Sequence, residues 1–209
     1  MFFISDFKQL ITVLMLMEEP RVYLFSNFLS KEEASWMVSL SEEKLNPSTV
    51  VDKETGDYVE HPHRTSSGTY FRRAENDLVT NIEARIEQIT QIPAENGEGI
   101  QILKYGIGGE YRPHFDYFPP ELPGSQKTLE RHGQRIATLI MFLNTVQDGG
   151  ETIFPTLKLK FKPVVGNALL FYNLTPDGAV DPRTLHGGAP VLQGEKWIAT
   201  KWLRTQVYD

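Results

Sequence analysis

Apolar positions follow two different rhythms along this chain, and the change between them falls near its midpoint. Ser30 and Glu33 make a capping box in front of Ala34, Met37, Val38, Ser41 and Leu45, which recur at helical spacing with charged residues between them. A second helix is predicted over Glu75 to Thr90, where Leu78, Ile82, Ile86 and Ile89 form one stripe; this stripe and Trp36 are assigned to the core. From Gly99 onward, short aliphatic and β-branched runs are interrupted by Gly, Pro and Asp, which predicts strands over Ile100 to Tyr105, Glu110 to Asp116, Ile136 to Leu143, Ala168 to Tyr172 and Trp197 to Arg204. Helices first and many short strands after, without βα alternation, give a β-rich α+β fold: an antiparallel sandwich or jelly roll with helices on one face.

Two stretches between these segments read as surface loops. Asn46 to Arg64 is polar and holds His61-Pro62-His63; Pro119 to His132 mixes Pro, Gly and charges of both signs, and leaves His132 exposed. Pro62 and its polar surroundings favour an exposed loop over a second metal site at His61 and His63. Leu10 to Met17 is continuously apolar, yet shorter than the roughly 20 residues that span a bilayer. Glu18-Glu19-Pro20 follows it in place of a small-residue cleavage site, so it is assigned to the interior of the domain. The carboxyl end carries no retention or lipidation signal, and a cytoplasmic protein is the simplest account.

Composition narrows the chemistry. At 209 residues, 40% hydrophobic and 23% charged, the chain is one ordinary globular domain. Residues 1–98 are read as helical support and lid, and 99–205 as the β core. Twenty-one Lys plus Arg against 27 Asp plus Glu give a net charge of −6, which argues against nucleic acid or an anionic membrane as partner. Cys is absent, so a metal here sits on His, Asp or Glu.

His114 and Asp116 stand two apart in a predicted strand, where residues i and i+2 share a face. Such a pair alone is weak evidence. A second His follows far along, in Leu185-His186-Gly187-Gly188, at the lip of another β-run. Two His and one carboxylate from two strands make the facial triad of non-haem iron(II), which leaves three adjacent positions open. Ten residues beyond His186, alternation puts Lys196, Ile198, Thr200 and Trp202 on one face and Lys201 on the other. An ammonium held among apolar groups calls for an anion, and a dicarboxylate cosubstrate is one. Tyr105 and Thr138 are placed to donate hydroxyl hydrogen bonds to the same carboxylate.

With these residues assembled, the chain resembles the 2-oxoglutarate and iron(II)-dependent prolyl 4-hydroxylases. The resemblance rests on His114-x-Asp116, Gly149-Gly150-Glu151-Thr152, Leu185-His186-Gly187-Gly188-Ala189-Pro190-Val191 and Gly194-Glu195-Lys196-Trp197, and extends from about Arg64-Thr65-Ser66-Ser67-Gly68 to Arg204. It implies a cupin-like double-stranded β-helix, iron(II) on His114, Asp116 and His186, and Lys196 paired with the distal carboxylate of 2-oxoglutarate. Tyr105 and Thr138 would assist, and Trp202 would line the pocket. It also implies dioxygen as cosubstrate and ascorbate as reductant, with decarboxylation of 2-oxoglutarate to succinate coupled to hydroxylation of proline at C4 in a peptide or protein. The two loops become candidate lids, and Arg135 and Tyr117 candidate peptide contacts. Gly109 stands where the family often has Gln and the cysteines of the animal enzymes are missing; the expectation is a compact enzyme without a preceding peptide-binding domain, similar to microbial or viral ones. Two other readings stay open: a related oxygenase acting on another amino acid or small molecule, and a non-catalytic β-sandwich binding module. The oligomeric state is open too, a homodimer included.

Overall fold

The long strands of the second half are apolar on both faces because both faces are covered, one by helices and the other by a second sheet. The computed structural model describes residues 2–4, 9–51, 58–60 and 65–209. In chain order, β1 (Phe2–Ile4), β2 (Ile11–Met17) and β3 (Val22–Ser26) precede helix α1 (Lys31–Ser41). Short strands β4 (Asn46–Pro47), β5 (Thr49–Val51), β6 (Tyr58–Glu60) and β7 (Ser67–Phe71) lead to α2 (Asp77–Thr90), and β8 (Ile100–Tyr105) and β9 (Tyr111–His114) lead to α3 (Pro123–His132). The remainder is β10 (Arg135–Phe142), β11 (Asp148–Gly149), β12 (Thr152–Phe154), β13 (Leu159–Phe161), β14 (Ala168–Tyr172), β15 (His186–Gly188), β16 (Val191–Gln193) and β17 (Lys196–Arg204).

The main sheet runs β1-β2-β3-β14-β10-β17-β8-β7-β4, and a four-stranded sheet, β13-β12-β15-β9, packs across from it. This is the double-stranded β-helix. Alternation sorts each central strand into two cores. In β10, Ala137, Leu139 and Met141 meet Met37 of α1 and Ile82 and Ile86 of α2, while Ile140 and Phe142 point inward toward Phe154 and Phe171. The capping box forms: Ser30 Oγ accepts from Glu33 N and a Glu33 carboxylate oxygen accepts from Ser30 N, a cap worth about 1 kcal/mol. The Glu33 carboxylate also takes two hydrogen bonds from Arg85 of α2, so one side chain closes one helix and ties it to the other.

Several expectations are corrected. Trp36 is 63% exposed, because Ala34, Met37 and Ser41 face the sheet and residue 36 lies around the far side of the same helix. The run at Leu10 to Met17 is the outer strand β2: Ile11 and Val13 are buried, while Leu10, Leu14 and Met15 are exposed. Residues 1–98 are not a purely helical support, since β1, β2, β3, β4 and β7 extend the main sheet at both edges. Pro119 to His132 contains α3, opened by Pro123 at its first turn and closed at Gly133; its residues are so polar that no apolar stripe marks it. His132 ends that helix partly buried against Tyr208, not in an exposed loop. Within Asn46 to Arg64, β5 pairs with β6, and His61, Pro62, His63 and Arg64 lie outside the described residues. No helix among the described residues is long and apolar enough to cross a membrane.

Candidate active site

Register brings the predicted residues together. His114 closes β9 and His186 opens β15, and the two are direct partners across the antiparallel pair. Lys196 opens β17 opposite Tyr105, the last residue of β8. Glycine makes the first pairing close: a Cβ on Gly187 would sit 2.7 Å from the Tyr111 carbonyl oxygen, so a side chain there would push β15 off β9. Asp116 lies two residues past the strand end, in a bend, and its carboxylate still reaches the imidazoles. One donor atom from each of His114, Asp116 and His186 falls within 4.8 Å of the others.

Both imidazoles are held the same way. His114 Nδ1 donates to the Arg112 carbonyl at 3.0 Å, and His186 Nδ1 donates to the Thr184 carbonyl at 3.0 Å. A carbonyl only accepts, so each ring carries its hydrogen on Nδ1 and turns an Nε2 lone pair inward. The two Nε2 atoms lie 3.5 Å from Asp116 Oδ1 and Oδ2 respectively, too far for N–H···O bonds. Three acceptors facing one point without a proton between them fit a bound cation, and two imidazoles with one carboxylate suit iron(II).

Electrostatics agree. Burial pushes His186 down to about 4 against the pull of Asp116, so the ring is neutral near pH 7 and free to ligate. Burial would raise Asp116, yet His186, His114 and Arg135 outweigh it and hold the carboxyl well below the usual range. Aromatic rings wall the cluster: Tyr111 stacks on His114 with centroids 3.7 Å apart, and Phe171 and Phe154 lie 4.6 and 5.6 Å from the His186 ring.

The cluster opens into a pocket. Leu103, Ile140 and Ile198 form its apolar wall, and Lys196 stands within it beside Thr152 and Thr200. Lys196 is 2% exposed, and burial lowers its ammonium to about 8, with Glu151 pulling the other way. No carboxylate lies within 4.0 Å of its Nζ among the described residues. Tyr105 lines the same cavity, its ring centroid 5.5 Å from that Nζ, and Trp202 lines it too.

Thr138 is a correction. Its hydroxyl does not face the ammonium but donates to Asp116 Oδ2 at 2.8 Å, and its oxygen accepts from Asn173 Nδ2 at 3.0 Å. Arg135 packs under the site, paired with Glu98 at 2.6 and 2.8 Å, stacked 4.0 Å over Trp202, and donating to the Asp116 carbonyl. Tyr117 is buried and stacks on Phe115. Thr152 and Thr200 are cavity residues left without a role by the sequence reading; Thr200 shares the Lys196 face, a signal that alternation already carried. Asn173 had no local signal at all.

Comparisons with known proteins bear on the same residues. The sequence profile of the 2OG-Fe(II) oxygenase superfamily matches residues 100–204. Two Arabidopsis thaliana proteins, Probable prolyl 4-hydroxylase 3 and Prolyl 4-hydroxylase 5, are 43% and 42% identical over 209 aligned residues, spanning 91% of this chain and 71% and 70% of theirs. The chain belongs to the prolyl 4-hydroxylase family of 2OG-Fe(II) oxygenases. Among solved structures, the viral collagen prolyl hydroxylase of Paramecium Bursaria Chlorella virus-1, in its 2OG complex, superposes with a TM-score of 0.68 at 28% identity, covering 87% of this chain and 94% of that one. Prolyl 4-hydroxylase family membership makes the chain a dioxygenase that uses iron(II), 2-oxoglutarate and dioxygen.

Proposed function

We propose that this chain is a peptidyl prolyl 4-hydroxylase in which His114, Asp116 and His186 hold iron(II) and Lys196 receives 2-oxoglutarate. One observation carries the reading: the cluster of three inward-facing acceptors opens into the same cavity as a buried ammonium with no carboxylate beside it, in a chain 43% identical to a prolyl 4-hydroxylase. When bound, the metal and cosubstrate supply the oxidising power, 2-oxoglutarate being converted with dioxygen to succinate and carbon dioxide as one oxygen atom enters proline C4.

The protein's own work is orientation and exclusion of water. Lys196 neutralises the distal carboxylate of the cosubstrate, Leu103, Ile140 and Ile198 cover its methylene groups, and Thr200, Thr152 or Tyr105 offers hydroxyl donors from the wall. The carbonyls of Arg112 and Thr184 keep both imidazoles in one tautomer, and Thr138 keeps the Asp116 carboxylate from turning. Phe154 and Phe171 shield the inner side of His186. Ascorbate as reductant and a cytoplasmic setting belong to the same proposal.

The test is mass spectrometry of a proline-rich peptide incubated with iron(II) and 2-oxoglutarate, with succinate measured in parallel. A gain of one oxygen on proline matched by succinate is expected. Succinate with oxygen on another residue would move the chain to a sister oxygenase, and neither product would make it a binding module.

A further inference from the structure

We infer that Asn173 and Thr138 are positioning residues that fix the Asp116 carboxylate and join it to His186, an inference that rests on the ligand assignment proposed above. Thr138 and Asn173 are both fully buried between the two sheets. The direction of their hydrogen bonds is set by chemistry. A carboxylate oxygen accepts, so the single hydroxyl proton of Thr138 goes to Asp116 Oδ2 at 2.8 Å. The Thr138 oxygen can then only accept, and Asn173 must present its NH2. This explains an otherwise odd feature: Asn173 Oδ1 is buried without a hydrogen-bond partner among the described residues. Turning the amide over would set Oδ1 against a hydroxyl whose proton is committed elsewhere. The unsatisfied oxygen is a consequence of keeping the chain of donors pointed at the carboxylate.

The same residue reaches the second buried ligand through its backbone. The Asn173 carbonyl accepts from Asp181 N at 2.9 Å, and the Asp181 carboxylate caps the turn that follows, accepting from Arg183 N at 2.9 Å. Thr184, the last residue of that turn, supplies the carbonyl that fixes His186. Asn173 thus stands where an arm to Asp116 and an arm to His186 meet. With Oδ2 engaged by Thr138, the carboxylate is pinned by one oxygen, and its rotation is restricted before any metal arrives.

The experiment is anaerobic calorimetric titration of iron(II) into the full chain, with circular dichroism confirming that each variant is folded. Thr138→Val, or Thr138→Ala should the valine variant fail to fold, is expected to weaken iron(II) binding by about 10- to 100-fold, the range for lost outer partners of metal ligands. Asn173→Leu is expected to weaken it less, because Thr138 can still donate. Thr138→Ser restores the hydroxyl and is expected to restore the affinity, which a packing role for the threonine methyl would not do. Asp116→Ala separates the two claims. If it binds iron(II) like the native chain, the ligand assignment fails. If it loses binding while the Thr138 and Asn173 variants keep native affinity, the ligands stand and the positioning role is refuted.

Discussion

Lys196 and Lys201 stand on the same strand, both buried, and face opposite ways. Lys201 points to the helical side, where its Nζ is paired with Glu83 of α2, and it is 1% exposed. Lys196 points into the cavity, equally buried, with no carboxylate within 4.0 Å among the described residues. Burial lowers both ammonium groups, but only the first has a partner bonded to it. The contrast extends to the neighbours. Beside that ammonium, His114, Asp116 and His186 turn three acceptors toward one point. Lys201 meets its opposite charge within the fold and so holds it, whereas Lys196 does not and so is placed to receive a ligand.

The largest effect that would break this contrast is expected on the cavity side. Asp116→Ala or His186→Ala should abolish iron-dependent hydroxylation, with circular dichroism confirming that each variant is folded. Residual activity near the native level, measured as hydroxyproline formed, would contradict the ligand assignment. The helical side should behave the opposite way. Lys201→Met leaves Glu83 buried and unpaired, a loss of about 3–5 kcal/mol in denaturant titrations, while the 2-oxoglutarate requirement of the molecules that remain folded should be unchanged. A shift in that requirement would mean that the two faces are coupled.

Much of the cavity side was legible in the sequence, and so were helices α1 and α2, but the ion pairs that tie the helical side together were not. Strands β8 and β14 have the bounds that the apolar runs predict; period-two alternation, which is local, puts His114 with Asp116 and Lys196 with Thr200, and His186 is read from the lip of a later β-run. Ion pairs across the fold are not local: Glu83 and Lys201 are 118 residues apart, and nothing near either announces the other. The same holds for Thr138, whose residue type suggested a hydroxyl donor but whose partner, Asp116, depends on how β10 lies against the bend after β9. Helix α3 was missed for a different reason, since its polar residues carry no periodic stripe.

A smaller effect sharpens the role of Lys196. A charge-assisted pair is worth about 1.5–3 kcal/mol, so Lys196→Ala should raise the KM for 2-oxoglutarate by roughly 10- to 150-fold and that for peptide far less. The pH dependence has a definite sign. The ammonium is the binding form, and burial brings its pKa to about 8, so the free enzyme loses the cation as pH rises through that value. The KM for 2-oxoglutarate should be flat below neutrality and climb above pH 8, approaching about tenfold per pH unit. In Lys196→Arg the guanidinium does not titrate, and the climb should vanish whatever the absolute affinity. A rise that persists in the arginine variant would assign the titration to another group.

The smallest expected effect concerns Trp36, which tests whether burial or residue type decides a side chain's weight. Tryptophan in a helix whose other face packs on a sheet invites assignment to the core, yet Ala34, Met37 and Ser41 take the inward positions and leave Trp36 63% exposed. Trp36→Gln keeps good helix propensity and removes only surface-exposed aromatic area. Its unfolding free energy should therefore stay within about 0.5 kcal/mol of the native chain, and hydroxylation should be unaffected. A loss of several kcal/mol in urea titration would put this ring in contact with something the isolated fold does not supply, and the division between the two faces of β17 would no longer account for where the chain's stability resides.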